Sequence, residues 1–380
     1  MKNREWLKPV VLTLLLMVLI AAGFAFYAGV VRTKTEPITF ADRTNTDSAV
    51  YPLKDLMAKL YKQKNLYPYV FPGRAEEPEY GTYVIPGLKA TKTLEAGKAE
   101  PVICGSMTPQ GIAVTEEYIL VSAYCNTKQH NSVIYVIDKE SHKFRKKIVL
   151  EGRPHVGGLA YDPQHQVIWV SGRKNGVAQA NSFTLKQLEE YHFERDQEPI
   201  EYAQACPLTS IDRNSFMAYN EGFLYVGCFE EYLSDDMSTM EKYEIDSQGR
   251  LEVKEDVASG KGEMTVYPVE TAVLAGRVQG MAFYKDYILL SESSGFRKSD
   301  LVIFDNTSKV VTFSNENSAT HMSLPPQMEE ICTDGDDLYV IFESAAYAYR
   351  SYIPVKIDRI LKMDLKKMPI DETRERLFLR

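Results

Sequence analysis

Five residues at one position of a repeating phrase, with two close neighbours, are the best candidates for chemistry in this chain. Gln110, Gly157, Ser215, Gln279 and Glu329 each stand three residues before the Ala or Cys of a short apolar motif. Glu330 follows in the fifth copy where most others have Gly, and His155 lies two residues before Gly157. A Glu beside carbonyl-bearing Gln offers the oxygen ligands that Ca²⁺ takes, and His155 with Glu329 offers an acid–base pair. Against metal, Gln is a weak ligand and only one copy is acidic, so no metal or cofactor is assigned. The competing role for these residues is to hydrate a tunnel or bond neighbouring backbone. Glu292 and Glu343 align with each other just past a second strand, in Ser291-Glu-Ser and Phe342-Glu-Ser. They are secondary ligand-binding candidates, with loop bonding as the alternative.

Other motifs add little. His130 and His142 fall in hairpin loops and are read as solvated, and His165 sits in the turn Asp162-Pro-Gln-His. There is no Gly-x-Ser-x-Gly elbow, P-loop, His-Glu-x-x-His or EF-hand loop. Five cysteines (Cys104, Cys125, Cys206, Cys228, Cys332) show no CxxC or Cys/His metal spacing. Cys125, Cys228 and Cys332 lie within predicted strands, where a thiol packs as a small apolar side chain.

The elements that must position the candidates are strands. The phrase reads Gln110-Gly-Ile-Ala-Val, a turn, then Tyr118-Ile-Leu-Val-Ser122, and it recurs four more times. Its markers Ala113, Ala160, Ala218, Ala282 and Cys332 are spaced by 47, 58, 64 and 50 residues. A third strand closing on Asp follows in most copies: Ser132 to Asp138, Lys242 to Asp246, Asp300 to Asp305, Asp358 to Asp364. Asp suits such a turn because its carboxylate bonds nearby backbone. Fourth strands are predicted at Lys146 to Leu150 and Lys309 to Phe313. Four short antiparallel strands per repeat make a β-propeller blade.

The last repeat runs out near Asp364, whereas Tyr83 to Leu88 and Pro101 to Cys104 have no first repeat of their own. One of them serves as the outer strand of the last blade, which closes the ring and removes an exposed edge. A solenoid would instead need polar caps. The prediction is an all-β fold of five four-stranded blades. A sixth is the alternative, if a degenerate blade hides around Glu263 to Leu274. The candidate residues then converge on one mouth of the central channel.

Segments Ile85-Pro-Gly-Leu88, Pro109-Gln-Gly-Ile112, His155-Val-Gly-Gly158, Gln279-Gly-Met-Ala282 and Phe342-Glu-Ser-Ala345 resemble exported bacterial propeller proteins. Those proteins carry blades of the kind shared by YVTN, NHL and gluconolactonase-like proteins. The resemblance covers Tyr83 to Leu365. It implies a propeller and export; the wider group mixes lactonases, scaffolds and ligand binders, so it implies no one activity. The gluconolactonase-like metal site uses an acidic residue and Asn or Asp at such strand starts, a pattern this chain lacks.

Composition fits this picture. The chain is 44% hydrophobic and 25% charged, ordinary for a globular protein, and its net charge of −8 with no basic stripe argues against nucleic acid. Val10 to Val31 carries no charge; as a helix it would run roughly 33 Å, enough for a bilayer core. Lys2, Arg4 and Lys8 before it, against Arg32 and Lys34 after it, place the N-terminus in the cytoplasm. A cleaved signal peptide ending near Gly23-Phe-Ala25 is the alternative; the run is longer than the usual 7–15-residue core.

The expected organisation is therefore a signal anchor or transmembrane helix over 1–32, a stalk with a short amphipathic helix over 33–79, a propeller over 80–366 and a C-terminal tail over 367–380. The helix is read in Tyr51 to Leu66, from Leu53, Leu56, Met57 and Leu60. The expected function is a single-pass, extracytoplasmic binding or interaction platform for a protein or cell-envelope ligand, held at the cell membrane by its N-terminal helix. The alternative is a lactonase- or hydrolase-like enzyme using Glu329, His155 and a metal at the channel mouth.

Overall fold

The computed structural model describes residues 13–23, 49–71, 81–230, 237–257, 260–307, 313 and 317–370. Five four-stranded antiparallel sheets are arranged as blades, each ordered from an inner to an outer strand. Blade 1 comprises Met107–Val114, Tyr118–Cys125, Val133–Asp138 and Phe144–Val149. Blade 2 comprises Leu159–Asp162, Val167–Lys174, Val177–Thr184 and Gln204–Leu208. Blade 3 comprises Phe216–Asn220, Phe223–Cys228, Met237–Glu244 and Glu270–Ala275. Blade 4 comprises Val278–Tyr284, Tyr287–Glu292, Ser299–Asp305 and Thr320–Leu324. Blade 5 takes Met328–Asp334, Asp337–Phe342 and Arg359–Asp364 from the end of the chain and Thr82–Val84 from its beginning.

The inner strand of every blade contacts those of both neighbours, so the ring is closed. Thr82 pairs with Leu361 and Val84 with Arg359, which satisfies the edge that the last repeat leaves open. The buried core lies between the blades, filled by alternating apolar positions such as Ile119, Val121, Leu289 and Val340.

Several expectations are corrected in detail. The segment Glu263 to Leu274 is not a sixth blade: Glu270–Ala275 is the outer strand of blade 3, and Met264–Thr265 pairs with Lys254–Glu255 in a small hairpin. The outer strand of blade 4 is Thr320–Leu324; of the segment expected there, Lys309 to Phe313, only Phe313 is among the described residues. Pro101–Cys104 does not join a blade but pairs with Thr91–Leu94. The apolar pattern identified Pro101–Cys104 as a strand, and only the fold decided its partner.

The helix predicted in Tyr51 to Leu66 forms over Leu53–Leu60 and docks on the propeller. Leu56 and Leu60 are buried with Tyr284, Leu361 and Met363 of blades 4 and 5. Of the apolar N-terminal run, residues 13–23 are helical, and the remainder lies outside the described residues, as do the stalk over 33–48 and the tail over 371–380. Among the described residues no helix is long and apolar enough to cross a membrane.

Candidate functional site at the channel mouth

The site begins with irregularities in the inner strands. The ladders of blades 1, 4 and 5 lose register between Pro109 and Ile112, between Val278 and Gly280, and between Met328 and Ile331. A bulge leaves residues unpaired and re-aims them. The unpaired residues are Gln110 and Gly111, Gln279, and Glu329 and Glu330. Gln110, Gln279, Glu329 and Glu330 are thus released from regular pairing, whereas Ser215 and His155 lie outside the bulges.

Glycine lets these strands crowd the axis. A Cβ on Gly157 would lie 2.1 Å from the Ser215 carbonyl oxygen, and one on Gly280 would lie 2.7 Å from the Glu330 Cα. The serine that ends the second strand of the phrase then bridges blades. Ser122 accepts from the Gly111 N–H (2.9 Å) and donates to the Val156 carbonyl (2.6 Å), while Ser291 donates to the Glu329 carbonyl (2.8 Å). Blade 3 inverts the size pattern: Phe216 stands opposite Gly227, whose missing side chain makes room for the ring.

Three levels follow along the channel. At one end a cavity of about 330 Å³ is lined by Gln110, His155, Ser215, Gln279 and Glu329, together with Glu343. Residues from all five repeats therefore meet in one space. At the other end the repeat markers Ala113, Ala160, Ala218, Ala282 and Cys332 ring a small cavity of about 70 Å³.

Between the two levels sits Glu330, fully buried. Its carboxyl oxygens accept from the N–H groups of Ile112 (2.8 Å), Met217 (2.9 Å) and Leu159 (3.1 and 3.2 Å). Burial drives its pKa upward, and the three amides pull the other way. Glu330 does not line the mouth cavity; it joins blade 5 to blades 1, 2 and 3. Glu292 does not line it either. It is buried in blade 4 with Arg277 at 3.9 Å, and burial raises its pKa to about 7.

The floor of the mouth is a pair of carboxyl groups, Glu329 and Glu343, within hydrogen-bonding reach of each other. Burial raises the pKa of both, and for Glu329 the charge of Glu343 adds to it. Glu343 is pushed up to about 8, with bonds from Glu329, Gln110 and Tyr349 favouring its ionised form. Gln110 Nε2 donates to Glu343 Oε2 at 2.9 Å. The pair therefore retains a proton above the pH at which an ordinary carboxyl releases it. Like charges so close cannot both ionise.

One wall carries His155, whose ring stacks on Tyr124 with centroids 4.3 Å apart. The His155 side chain is solvent-accessible, but surrounding protein and the charges of Lys128 and Arg213 lower its pKa to about 4. Access to water through the cavity moderates the burial effect; the direction leaves a neutral imidazole at pH 7. On the rim stand the exposed Arg173 and Arg213. The mouth is therefore bipolar: cationic outside, carboxyl-lined within.

Sequence alignment placed Gln110, Ser215, Gln279 and Glu329 at one level, and His155 joined them. It did not find Arg173, Arg213 or Tyr349. Arg213 and Tyr349 come from connections between strands and Arg173 from the exposed end of the second strand of blade 2, and an arginine in such a position gives no signal by itself. The pairing of Glu343 with Glu329 was equally hidden, since loop bonding fitted its position as well.

The fold and site define a five-bladed β-propeller with a polar channel mouth. No family model matches the chain, and no curated protein matches it. Among solved structures, a Kuenenia stuttgartiensis hydrazine synthase aligns over 61% of this chain and 55% of its own, at 9% identity and a TM-score of 0.33. Pyrococcus horikoshii acylaminoacyl peptidase aligns over 62% of this chain but 35% of its own, at 11% identity and a TM-score of 0.32. A Thermus thermophilus protein described as a glucose dehydrogenase-type oxidoreductase aligns over 67% of this chain and 79% of its own, at 13% identity and a TM-score of 0.35. The chain thus spans about half or less of the length of the first two. The blade count rests on this chain's own sheet topology, and these likenesses add nothing about its chemistry.

Proposed function

We propose that the protein is a ligand-binding propeller, tethered by its N-terminal apolar segment to the outer face of a membrane. Its ligand is a small polar molecule, or the end of a protein or cell-envelope polymer, taken into the channel mouth. The observation that carries this reading is the Glu329–Glu343 pair, which opens with Gln110 onto a cavity of about 330 Å³. Strongly perturbed carboxyl groups in a concave site are the usual mark of a binding or reaction centre. The paired carboxyls suit hydroxyl or amine groups, and Arg173 and Arg213 suit an anionic group at the rim. A sugar acid carries both features.

Thermal-shift titration with D-glucuronate and other sugar acids tests this. Stabilisation by at least one of them, lost when Gln279→Ala and Glu329→Gln are combined, supports the assignment. Ligand responses unchanged in that folded double variant would remove it. Tethering is tested separately: the full chain should stay in the membrane fraction after alkaline carbonate, and protease added outside intact cells should cleave the propeller region from it.

A second reading is favoured by the protonation of the same pair. A carboxylic acid holding its proton near neutral pH beside a carboxylate can act as general acid and base. A lactonase- or hydrolase-like activity would then appear with lactone or aryl-ester probes and vanish in Glu343→Gln.

A further inference from the structure

Outside the channel, the structure joins two cysteines and a histidine that lie apart in sequence. Cys104 ends the strand Pro101–Cys104 of the N-terminal hairpin, and Cys125 ends the second strand of blade 1. His130 lies five residues further on, in the loop before Val133, and bridges to Glu95 of that hairpin region. The donor atoms of all three lie within 4.8 Å of one another. Cys125 Sγ is 3.2 Å from His130 Nδ1 and 3.0 Å from Thr127 Oγ1. Both cysteines are buried and free, whereas His130 is half-buried and Thr127 exposed, so the cluster sits just beneath the surface with one side open.

We propose that Cys104, Cys125 and His130 form a binding site for a thiophilic cation of the Zn²⁺ type, with solvent or Thr127 as the fourth ligand. Zn–S bonds near 2.3 Å and Zn–N bonds near 2.0 Å put tetrahedral sulfur atoms roughly 3.8 Å apart. The three donors therefore need little movement to close on an ion. Two sulfurs and one imidazole exclude hard cations such as Ca²⁺ and Mg²⁺, which take oxygen. The Ser106 hydroxyl, 3.6 Å from Cys104 Sγ and 3.5 Å from Cys125 Sγ, is placed to bond either sulfur and orient both. An ion here would clamp the N-terminal hairpin to blade 1, just ahead of the repeats. Neither cysteine nor His130 belongs to the channel mouth, so the site is independent of the ligand proposed there.

The test uses the full-length protein in detergent, prepared under reducing conditions and stripped with a chelator. Co²⁺ titration should give thiolate-to-metal charge-transfer absorption at one ion per chain, and added Zn²⁺ should displace it and raise the melting temperature. His130→Ala, on a partly open loop, should lose that absorption while keeping the wild-type circular dichroism; Cys125→Ser should lose it as well. Cys228→Ser, in blade 3, should keep it. Absence of charge-transfer absorption in the wild type, its persistence in both His130→Ala and Cys125→Ser, or a Cys104–Cys125 disulfide in the protein isolated from its native host would each overturn the proposal.

Discussion

Glu330 in the last blade accepts the backbone N–H of Ile112 in the first at 2.8 Å, across 218 residues of sequence. The same carboxyl group takes the amides of Leu159 and Met217, so one side chain satisfies donors from three other blades. Closing a ring of strands around an axis leaves amides pointing into the channel with no sheet partner. Here a carboxyl group receives them.

Removing that group should therefore damage the fold more than the site. Glu330→Ala leaves three buried amides without acceptors, each costing about 1–3 kcal/mol, so an overall loss of at least ~3 kcal/mol is expected. Glu330→Gln keeps one acceptor oxygen but turns an NH₂ towards N–H donors, so it should fall between Ala and wild type. Urea denaturation followed by circular dichroism measures both. A loss for Glu330→Ala within ~0.5 kcal/mol, the range of ordinary surface changes, would refute the bridging role.

Stability should fall as pH rises from weakly acidic to mildly alkaline. Glu343 and Glu292 have folded pKa values of about 8 and about 7, both raised by burial from 4.5. The native state therefore keeps protons that the unfolded chain releases above 4.5. Their contribution is complete below that pH and is lost as pH climbs through 7 to 8. The slope is at most ~1.4 kcal/mol per pH unit for each group. Glu343→Gln and Glu292→Gln should each flatten the profile, and Glu292→Gln should be the more stable protein at pH 8. A pH-stability curve identical to wild type in both variants would show that neither group is protonated in the folded state.

Close approach at the axis makes one methyl group costly. In Gly280→Ala the new Cβ meets the Glu330 Cα at 2.7 Å and the Ile331 nitrogen at 2.8 Å, both backbone atoms that cannot step aside. A loss of about 1–3 kcal/mol is expected from such overpacking. Gly97→Ala is no neutral control, because Gly97 has a positive φ; Gly81 is no better, since its Cβ would strike the Val70 carbonyl oxygen at 2.0 Å. Ser247→Ala, on an exposed turn, serves instead. Equal melting temperatures for Gly280→Ala and Ser247→Ala would disprove the steric argument.

The N-terminal strand should act as the clasp of the ring. Deleting residues 81–85 removes the partner of Arg359–Asp364 and exposes that edge. The truncated protein should aggregate or lose cooperative unfolding, and a synthetic peptide spanning Thr82–Val84 and its neighbours should restore part of it. A truncated protein that stays monomeric with an unchanged melting temperature would mean that closure lies elsewhere.

Repeat spacing, a five-bladed count, closure by one of two N-terminal strands and the level at which Gln110, Ser215, Gln279 and Glu329 meet were legible in the sequence. All of these are local or periodic: alternation marks a strand, and equivalent positions in equivalent strands must converge on one axis. What became of the residues at that level was decided only in three dimensions. Adjacent Glu329 and Glu330 look alike in sequence, yet a bulge sends one carboxyl into the mouth cavity and the other among the amides of three blades. Glu343 and Glu292 are equivalent by alignment, and only Glu343 lines the mouth cavity, where it bonds Gln110 of the adjacent blade. Cys104, Cys125 and His130 show no metal spacing along the chain and come together because a hairpin outside the repeats folds back on blade 1. Such roles depend on neighbours contributed by distant segments, and the strand pattern of a single repeat carries no information about those neighbours.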